Sequence, residues 1–230
     1  MSEASLTTIV VDYGGVLSTP LAPAFAAVQE QLELPAESLG VAMAALEATR
    51  HVHPLHELET GVLPEPEFFA LLGAQLTVEL GRPVDLGDFS ERYWAVLAPN
   101  HELIEHLRGL RRHGYRMGLL TNNVLEWAPR WQAMVPMEEL FDDVVDSAVV
   151  GLRKPDPGIY TLAAERLGAA PAEIVFLDDF ESNCVAAREA GWSAVRFDGT
   201  GQAVRDLDAL LTSGGAPPGF GASAPGNPTV

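Results

Sequence analysis

One cysteine, Cys184, and one lysine, Lys154, stand in a chain of 230 residues. A single cysteine excludes an internal disulfide and suits a reducing compartment. Cys184 itself is expected to be a small buried hydrophobe rather than a nucleophile. No run of 18 apolar residues occurs, so no membrane-spanning helix is expected. The opening MSEASLTT has no basic segment and the apolar run after it is too short for a secretory leader, which makes a cytoplasmic location the expectation. Positive charge is scarce too: 14 basic against 32 acidic residues leave a formal charge of −18, with the acids spread along the chain. Nucleic acid and anionic membranes, which require a basic footprint, are therefore excluded as expected partners. An anionic substrate would need a local positive site, since salt screens the overall field within about 8–10 Å. There is no internal repeat.

What is present is an alternation of two periods. With 47% hydrophobic residues the chain has material for one core and a smaller satellite. Residues 7–12, TTIVVD, are apolar and β-branched and run into Gly14-Gly15, which predicts a buried strand. Residues 21–94 read as helices, as in AFAAVQEQL, LGVAMAALEA and PEFFALLGAQL, with Pro and Gly between them. Leu103, Ile104, Leu107 and Leu110 share one helical face, and YRMGLLTNN predicts a strand entering a polar loop. FDDVVDSAVVG predicts another short strand. In DPGIYTLAAERLG, Asp156 suits an N-cap, Pro157 the first helical position and Gly168 the stop. Residues 174–178 predict a strand, ESNCVAAREAG a helix closed by Gly191, and SAVRF a last strand. This order predicts an α/β fold with a parallel sheet covered on both faces. The expected division is an α/β core over 1–17 and 95–212, a helical insertion over 18–94, and a Gly/Pro-rich disordered tail over 213–230.

In open α/β sheets, ligands bind beyond the carboxyl ends of the strands. The residues expected there are Asp12, then Thr121-Asn122-Asn123, then Lys154, then Asp178-Asp179. A carboxylate nucleophile, a hydroxyl, one ammonium and an acidic pair suit a phosphate held with Mg²⁺, a hard cation that takes oxygen ligands. Phosphoryl transfer asks mainly for positioning and charge stabilisation. That Lys154 is retained in a chain otherwise supplied with arginine strengthens its assignment.

Taken in order, VVDYGG, LLTNN, GLRKPDPGIY and IVFLDDFESNCVAAREAGW resemble the four motifs of the haloacid dehalogenase superfamily, in the branch with a small helical cap after the first motif. The last two are similar to the phosphatase domain of soluble epoxide hydrolases and to bacterial sugar-phosphate phosphatases. The resemblance spans about residues 7–198. It implies a Rossmann-like core, Mg²⁺, and hydrolysis of a small phosphorylated metabolite, with a sugar phosphate as one option. Asp12 would attack phosphorus and form an aspartyl-phosphate. Thr121 and the Asn122 backbone would hold phosphate oxygens, and Lys154 would neutralise the nucleophile and the transferring group. Asp12, the Gly14 carbonyl and Asp179 would hold the metal, with Asp178 beside it or one step behind. Asn183 would orient Lys154.

One position departs from the pattern. Phosphatases of the superfamily usually carry a second Asp where this chain has Gly14, and that Asp protonates the leaving group. A general acid–base group is worth about 10²–10⁴ in rate. In the insertion, RHVHPLHELETG carries His51, His53 and His56, for which ordinary polar surface residues are the leading reading and a site-facing replacement for the missing acid is the second. Two other readings remain open at this level: a non-catalytic pseudo-phosphatase that binds a phosphorylated ligand, and a 2-haloacid dehalogenase, which uses an aspartate nucleophile without Mg²⁺ and typically has Ser-Ser-Asn in place of Asp178-Asp179.

Overall fold

The computed structural model describes residues 5–213. Five parallel strands form its sheet: β1 (Thr8–Val11), β2 (Arg116–Thr121), β3 (Asp143–Asp146), β4 (Ile174–Asp178) and β5 (Ser193–Arg196), in the order β3-β2-β1-β4-β5. β1 lies at the centre, with Val10 level with Gly118 on one side and Phe176 on the other. The chain builds outward from β1 to β2 and β3, then crosses back to β4, so the topological switch point falls between β1 and β4. A ligand crevice is expected there.

Burial on both faces explains why the strands read as continuous apolar runs. Ile9, Val11, Met117, Leu119, Val175 and Leu177 point to one face, into a cluster with Leu103, Leu107, Trp131 and Leu207. Val10, Leu120, Val145, Ile174 and Phe176 point to the other, against Ile159, Tyr160, Ala163 and Trp192. The period-2 alternation within each strand sends its neighbours to opposite layers.

Of the six helices between β1 and β2, the first five form the insertion: α1 (Leu21–Gln31), α2 (Ser38–Arg50), α3 (Pro54–Glu59), α4 (Glu65–Leu80) and α5 (Phe89–Val96). They gather a cluster of their own, including Val28, Ala42, Phe68, Leu72, Leu76, Phe89 and Tyr93. Their two connections to the sheet are tied together. Ser18 and Pro99 form an antiparallel bridge, Thr19 N–H donates to the Ala98 carbonyl at 2.8 Å, and Asn100 N–H donates to the Leu17 carbonyl at 2.8 Å.

The remaining helices are α6 (His101–Arg112), α7 (Ala128–Met134), α8 (Met137–Leu140), α9 (Ser147–Val150), α10 (Pro157–Leu167), α11 (Glu181–Glu189) and α12 (Thr200–Ser213). Asp156 caps α10 as expected, accepting from Gly158 N–H at 2.7 Å, and Gly168 and Gly191 take positive φ after α10 and α11. The short strand expected in FDDVVDSAVVG is β3, which stops at Asp146 because the Asp146 carboxylate accepts from Ala148 N–H at 3.0 Å and starts the short helix α9. The expected tail begins one residue too early: Ser213 ends α12, where the Thr212 and Ser213 hydroxyls donate to the Asp208 and Leu210 carbonyls. The rest of that segment, 214–230, lies outside the described residues.

Phe176 is fully buried in β4 and meets Tyr160 and Trp192 edge-on, with ring centroids 6.0 Å away in both cases. Phe176→Ala is expected to lower unfolding free energy by about 3–5 kcal/mol in urea titrations, with little change of m-value.

Candidate active site

A parallel sheet delivers the carboxyl ends of all its strands to one edge, and the polar residues gather there. Asp12 continues β1 on the ladder, its N–H donating to the Leu177 carbonyl at 2.9 Å. Asp178 ends β4 next to it. Lys154 arrives from the loop between α9 and α10 and places Nζ 2.7 Å from Asp12 Oδ1 and 2.6 Å from Asp178 Oδ2. All three side chains are buried, Lys154 to 1% exposure. Desolvating an ammonium is costly unless it is paired and hydrogen-bonded. Burial alone would lower its pKa, but the two carboxylates outweigh this and hold it above the ordinary lysine range. The Asp12 carboxyl is pushed up to about 7, first by burial and then by the Asp178 and Asp179 charges, against the pull of Lys154.

Two asparagines fix this arrangement. Asn183 Nδ2 donates to the two Asp178 oxygens at 3.0 and 3.1 Å, and Phe180 N–H donates to Asp178 Oδ1 at 2.8 Å. Asn183 therefore bears on Lys154 through Asp178, whose carboxylate it fixes. The Asn122 side chain grips the Lys154 backbone, Oδ1 accepting from its N–H at 2.8 Å and Nδ2 donating to its carbonyl at 2.9 Å. Only the Asn122 backbone had been singled out in the sequence. An amide offers the donor and acceptor such a clamp needs, but nothing local links residue 122 to one 32 positions away. Thr121 is buried at the end of β2, and its hydroxyl makes a long 3.5 Å contact with the Asn122 carbonyl.

The two glycines after Asp12 have different reasons. Gly15 has φ +79°, and a Cβ on it would lie 2.6 Å from Asp179 Oδ2. A side chain there would collide with the carboxylate as well as strain the backbone. At Gly14, a Cβ would lie 2.8 Å from Cδ1 of Leu21, the first residue of α1. The place where an acid would project is occupied by hydrocarbon.

Asp179 packs against this turn, and its Oδ1 is buried with no hydrogen-bond partner among the described residues. Burial, then the neighbouring Asp178 charge, pushes its carboxyl up to about 6. One oxygen from each of Asp12, Asp178 and Asp179 lies within 4.8 Å of the others. Asp178 has both oxygens hydrogen-bonded, whereas Asp179 has an orphaned one, so Asp12 and Asp179 are the carboxylates free to bind a cation. All-oxygen donors beside a main-chain turn fit a hard divalent ion.

A cavity of about 580 Å³ extends from these residues under the five inserted helices. Asp12, Gly14, Thr121, Asn122, Lys154 and Asn183 line one end. The rest of the wall is mostly apolar, with Phe25, Leu39, Met43, Leu72, Tyr93 and Trp127 among its residues. No histidine lines it. His51 ends α2, while His53 accepts from Leu55 N–H at 3.2 Å and stacks on His56 at 4.7 Å. Of the two readings of these histidines, the structure agrees with ordinary polar residues and not with a cavity-facing one: His53 is used in capping α3. Two charged residues that sequence reading missed do line the cavity, Glu59 of α3 and Arg153, joined through Arg153 Nε and Glu59 Oε2 at 2.8 Å. Arg153 stands beside the lone lysine, which was the available signal. Cys184 is fully buried, as expected of a small hydrophobe.

The chain belongs to the haloacid dehalogenase-like hydrolase family, which matches residues 3–191. It is 28% identical over 218 residues to D-ribitol-5-phosphate phosphatase of Bacteroides thetaiotaomicron, covering 90% of this chain and 100% of that protein. It is 27% identical over 216 residues to bifunctional epoxide hydrolase 2 of Mus musculus, covering 89% of this chain and 38% of that protein, so it spans well under half of that relative's length. Among solved structures, it shares its fold with HAD family enzyme BT-2542 of Bacteroides thetaiotaomicron in complex with magnesium and inorganic phosphate (TM-score 0.58, 21% identity, 84% of this chain and 94% of that one). It also shares it with the L-2-haloacid dehalogenase RSc1362 (TM-score 0.66, 22% identity, 91% and 100%).

Two outcomes follow from the buried charges. Lys154→Met leaves Asp12 and Asp178 facing each other without a cation and should cost about 3–5 kcal/mol in urea titrations near neutral pH. The carboxyls of Asp12 and Asp179 are raised on folding, so between their unfolded values near about 4 and their folded values of about 7 and 6 the native state holds more protons. Their contribution to stability therefore falls as pH rises through this window. A divalent cation requires them deprotonated. The rise in Tm on adding Mg²⁺ should be larger at about pH 7.5 than at about pH 5, and Asp179→Asn should remove most of it.

Proposed function

We propose that the protein is a Mg²⁺-dependent phosphatase that hydrolyses a small phosphomonoester through an aspartyl-phosphate on Asp12. The observation that carries this reading is the buried Lys154 ammonium held between Asp12 and Asp178 in the wall of a cavity of about 580 Å³. A cation locked there keeps one Asp12 oxygen aligned and lowers the repulsion that an incoming phosphate dianion would meet. The phosphatase relatives support the same reaction.

In this scheme Asp12, Asp179 and the Gly14 carbonyl hold Mg²⁺, which would supply charge neutralisation to the phosphate oxygens. The Thr121 hydroxyl and the Asn122 backbone bind phosphate from the β2 end. Asp12 attacks phosphorus, and the bond to the alcohol oxygen breaks. Asn183 and Asn122 hold the carboxylate–ammonium pair in place during both half-reactions. Helices α1–α5 serve as the cap, and their cover excludes bulk water from the aspartyl-phosphate.

The cap also bears on substrate class. A sugar needs a partner for each hydroxyl that loses water, and an unpaired one is expensive. The mainly hydrocarbon wall supports an ester with a substantial apolar body in preference to a sugar phosphate. A dehalogenase reading is disfavoured by Asp179, since without a metal ion its carboxylate, whose Oδ1 has no hydrogen-bond partner among the described residues, would repel a haloacid's own.

Phosphate release from p-nitrophenyl, alkyl and sugar phosphates, with chloride release from 2-chloropropionate, tests these alternatives directly. Release of phosphate that needs Mg²⁺ and drops at least about 10³-fold in Asp12→Asn is expected. Metal-independent chloride release would replace this reading with the dehalogenase, and inactivity throughout would replace it with a phospho-ligand binder.

A further inference from the structure

If phosphate is transferred to Asp12, the departing alcohol oxygen needs a proton, and Gly14 cannot provide it. The Cβ position there is already crowded by Leu21. Among the groups that line the cavity, few can carry a proton. Lys154 is committed to Asp12 and Asp178. Arg153 does not give up its proton. Burial pushes the Tyr13 and Tyr93 hydroxyls far above their usual range. Asp12 is the attacking group. The remaining titratable lining residue is Glu59.

Glu59 is also fixed in place, although it belongs to the cap. It ends α3, and its carbonyl accepts from the Ser147 hydroxyl at 2.5 Å. Two residues later the turn lies so close to α9 that a Cβ on Gly61 would be 2.5 Å from the Ala148 carbonyl. Arg153, the neighbour of Lys154, holds the carboxylate through Oε2 alone. The side chain is 16% exposed. This docking joins a cap carboxyl to the same loop that delivers the lysine.

We infer that Glu59 is the proton carrier for the leaving group, replacing from the cap the acid that residue 14 lacks. This rests on the phosphatase reading. As an Asp12 oxygen bonds to phosphorus, the electron pair of the breaking P–O bond passes to the alcohol oxygen, which takes the Glu59 proton. The products are alcohol, aspartyl-phosphate and a Glu59 carboxylate. In the second half-reaction water attacks phosphorus, its proton returns to Glu59, and Asp12 leaves as a carboxylate with phosphate released. Burial raises the Glu59 carboxyl above the usual glutamate value against the opposing charges of Arg153, Lys154 and His53.

The test compares kcat/KM of Glu59→Gln on two esters with opposite needs, p-nitrophenyl phosphate and an alkyl phosphate. This parameter reports only steps up to loss of the alcohol. p-Nitrophenolate leaves unprotonated near neutral pH, whereas an alkoxide does not. Glu59→Gln should lose about 10²–10⁴-fold on the alkyl ester and less than about threefold on the aryl ester, with Glu59→Asp recovering part of the loss. Equal losses on both esters, or no loss on either, would overturn the inference while leaving Asp12-dependent release intact. Release that persists in Asp12→Asn would overturn the phosphatase reading and this inference with it.

Discussion

The site depends on one ammonium that is almost fully buried. Lys154 lies between Asp12 and Asp178, and neither carboxylate could stay charged at that depth without it. The lysine in turn is kept by groups that never touch its charge. Asn122 grips its backbone from the end of β2, and Asn183 fixes Asp178 from the start of α11. Removing either would free a group whose misplacement leaves a charge buried and unpaired. The catalytic edge is thus a chain of constraints running across β2, β1 and β4, with the lysine at its centre.

A second constraint acts on the turn after β1. Gly15 takes a backbone conformation that side chains rarely adopt and leaves room for the Asp179 carboxylate, whose orphaned oxygen is the clearest sign of a cation site. Gly14 is different. Its lack of a side chain lets Leu21 of the cap descend onto the strand end.

The cap divides its labour between hydrocarbon and a single charged contact. Its own cluster leaves a largely apolar wall over the site, while the Glu59–Arg153 pair and the Ser147–Glu59 contact tie α3 to the core. Such an arrangement lines most of the cavity with hydrocarbon and still keeps a carboxyl in its wall. The electrostatic interactions inside it are stronger for that lining.

Much of this could be read from the chain itself. The strands announced themselves as apolar runs because a parallel sheet is buried on both faces, and each ended in a polar residue because the sheet edge is where a ligand binds. Asp12, Thr121, Lys154 and Asp178-Asp179 were legible for that reason, as was the cap of α10 by Asp156. Helices α7 and α8 are too short to display a period, and α12 shows one only in the spacing of Ala203, Leu207 and Leu211. What only the folded chain decided were contacts between residues far apart in sequence. Asn122 grips Lys154, Asn183 holds Asp178, Leu21 fills the space over Gly14, and Glu59 rather than a histidine enters the cavity. Local pattern specifies which face of an element is buried, because that follows from its period. It does not specify which side chain from another element meets that face, because packing in three dimensions makes the choice.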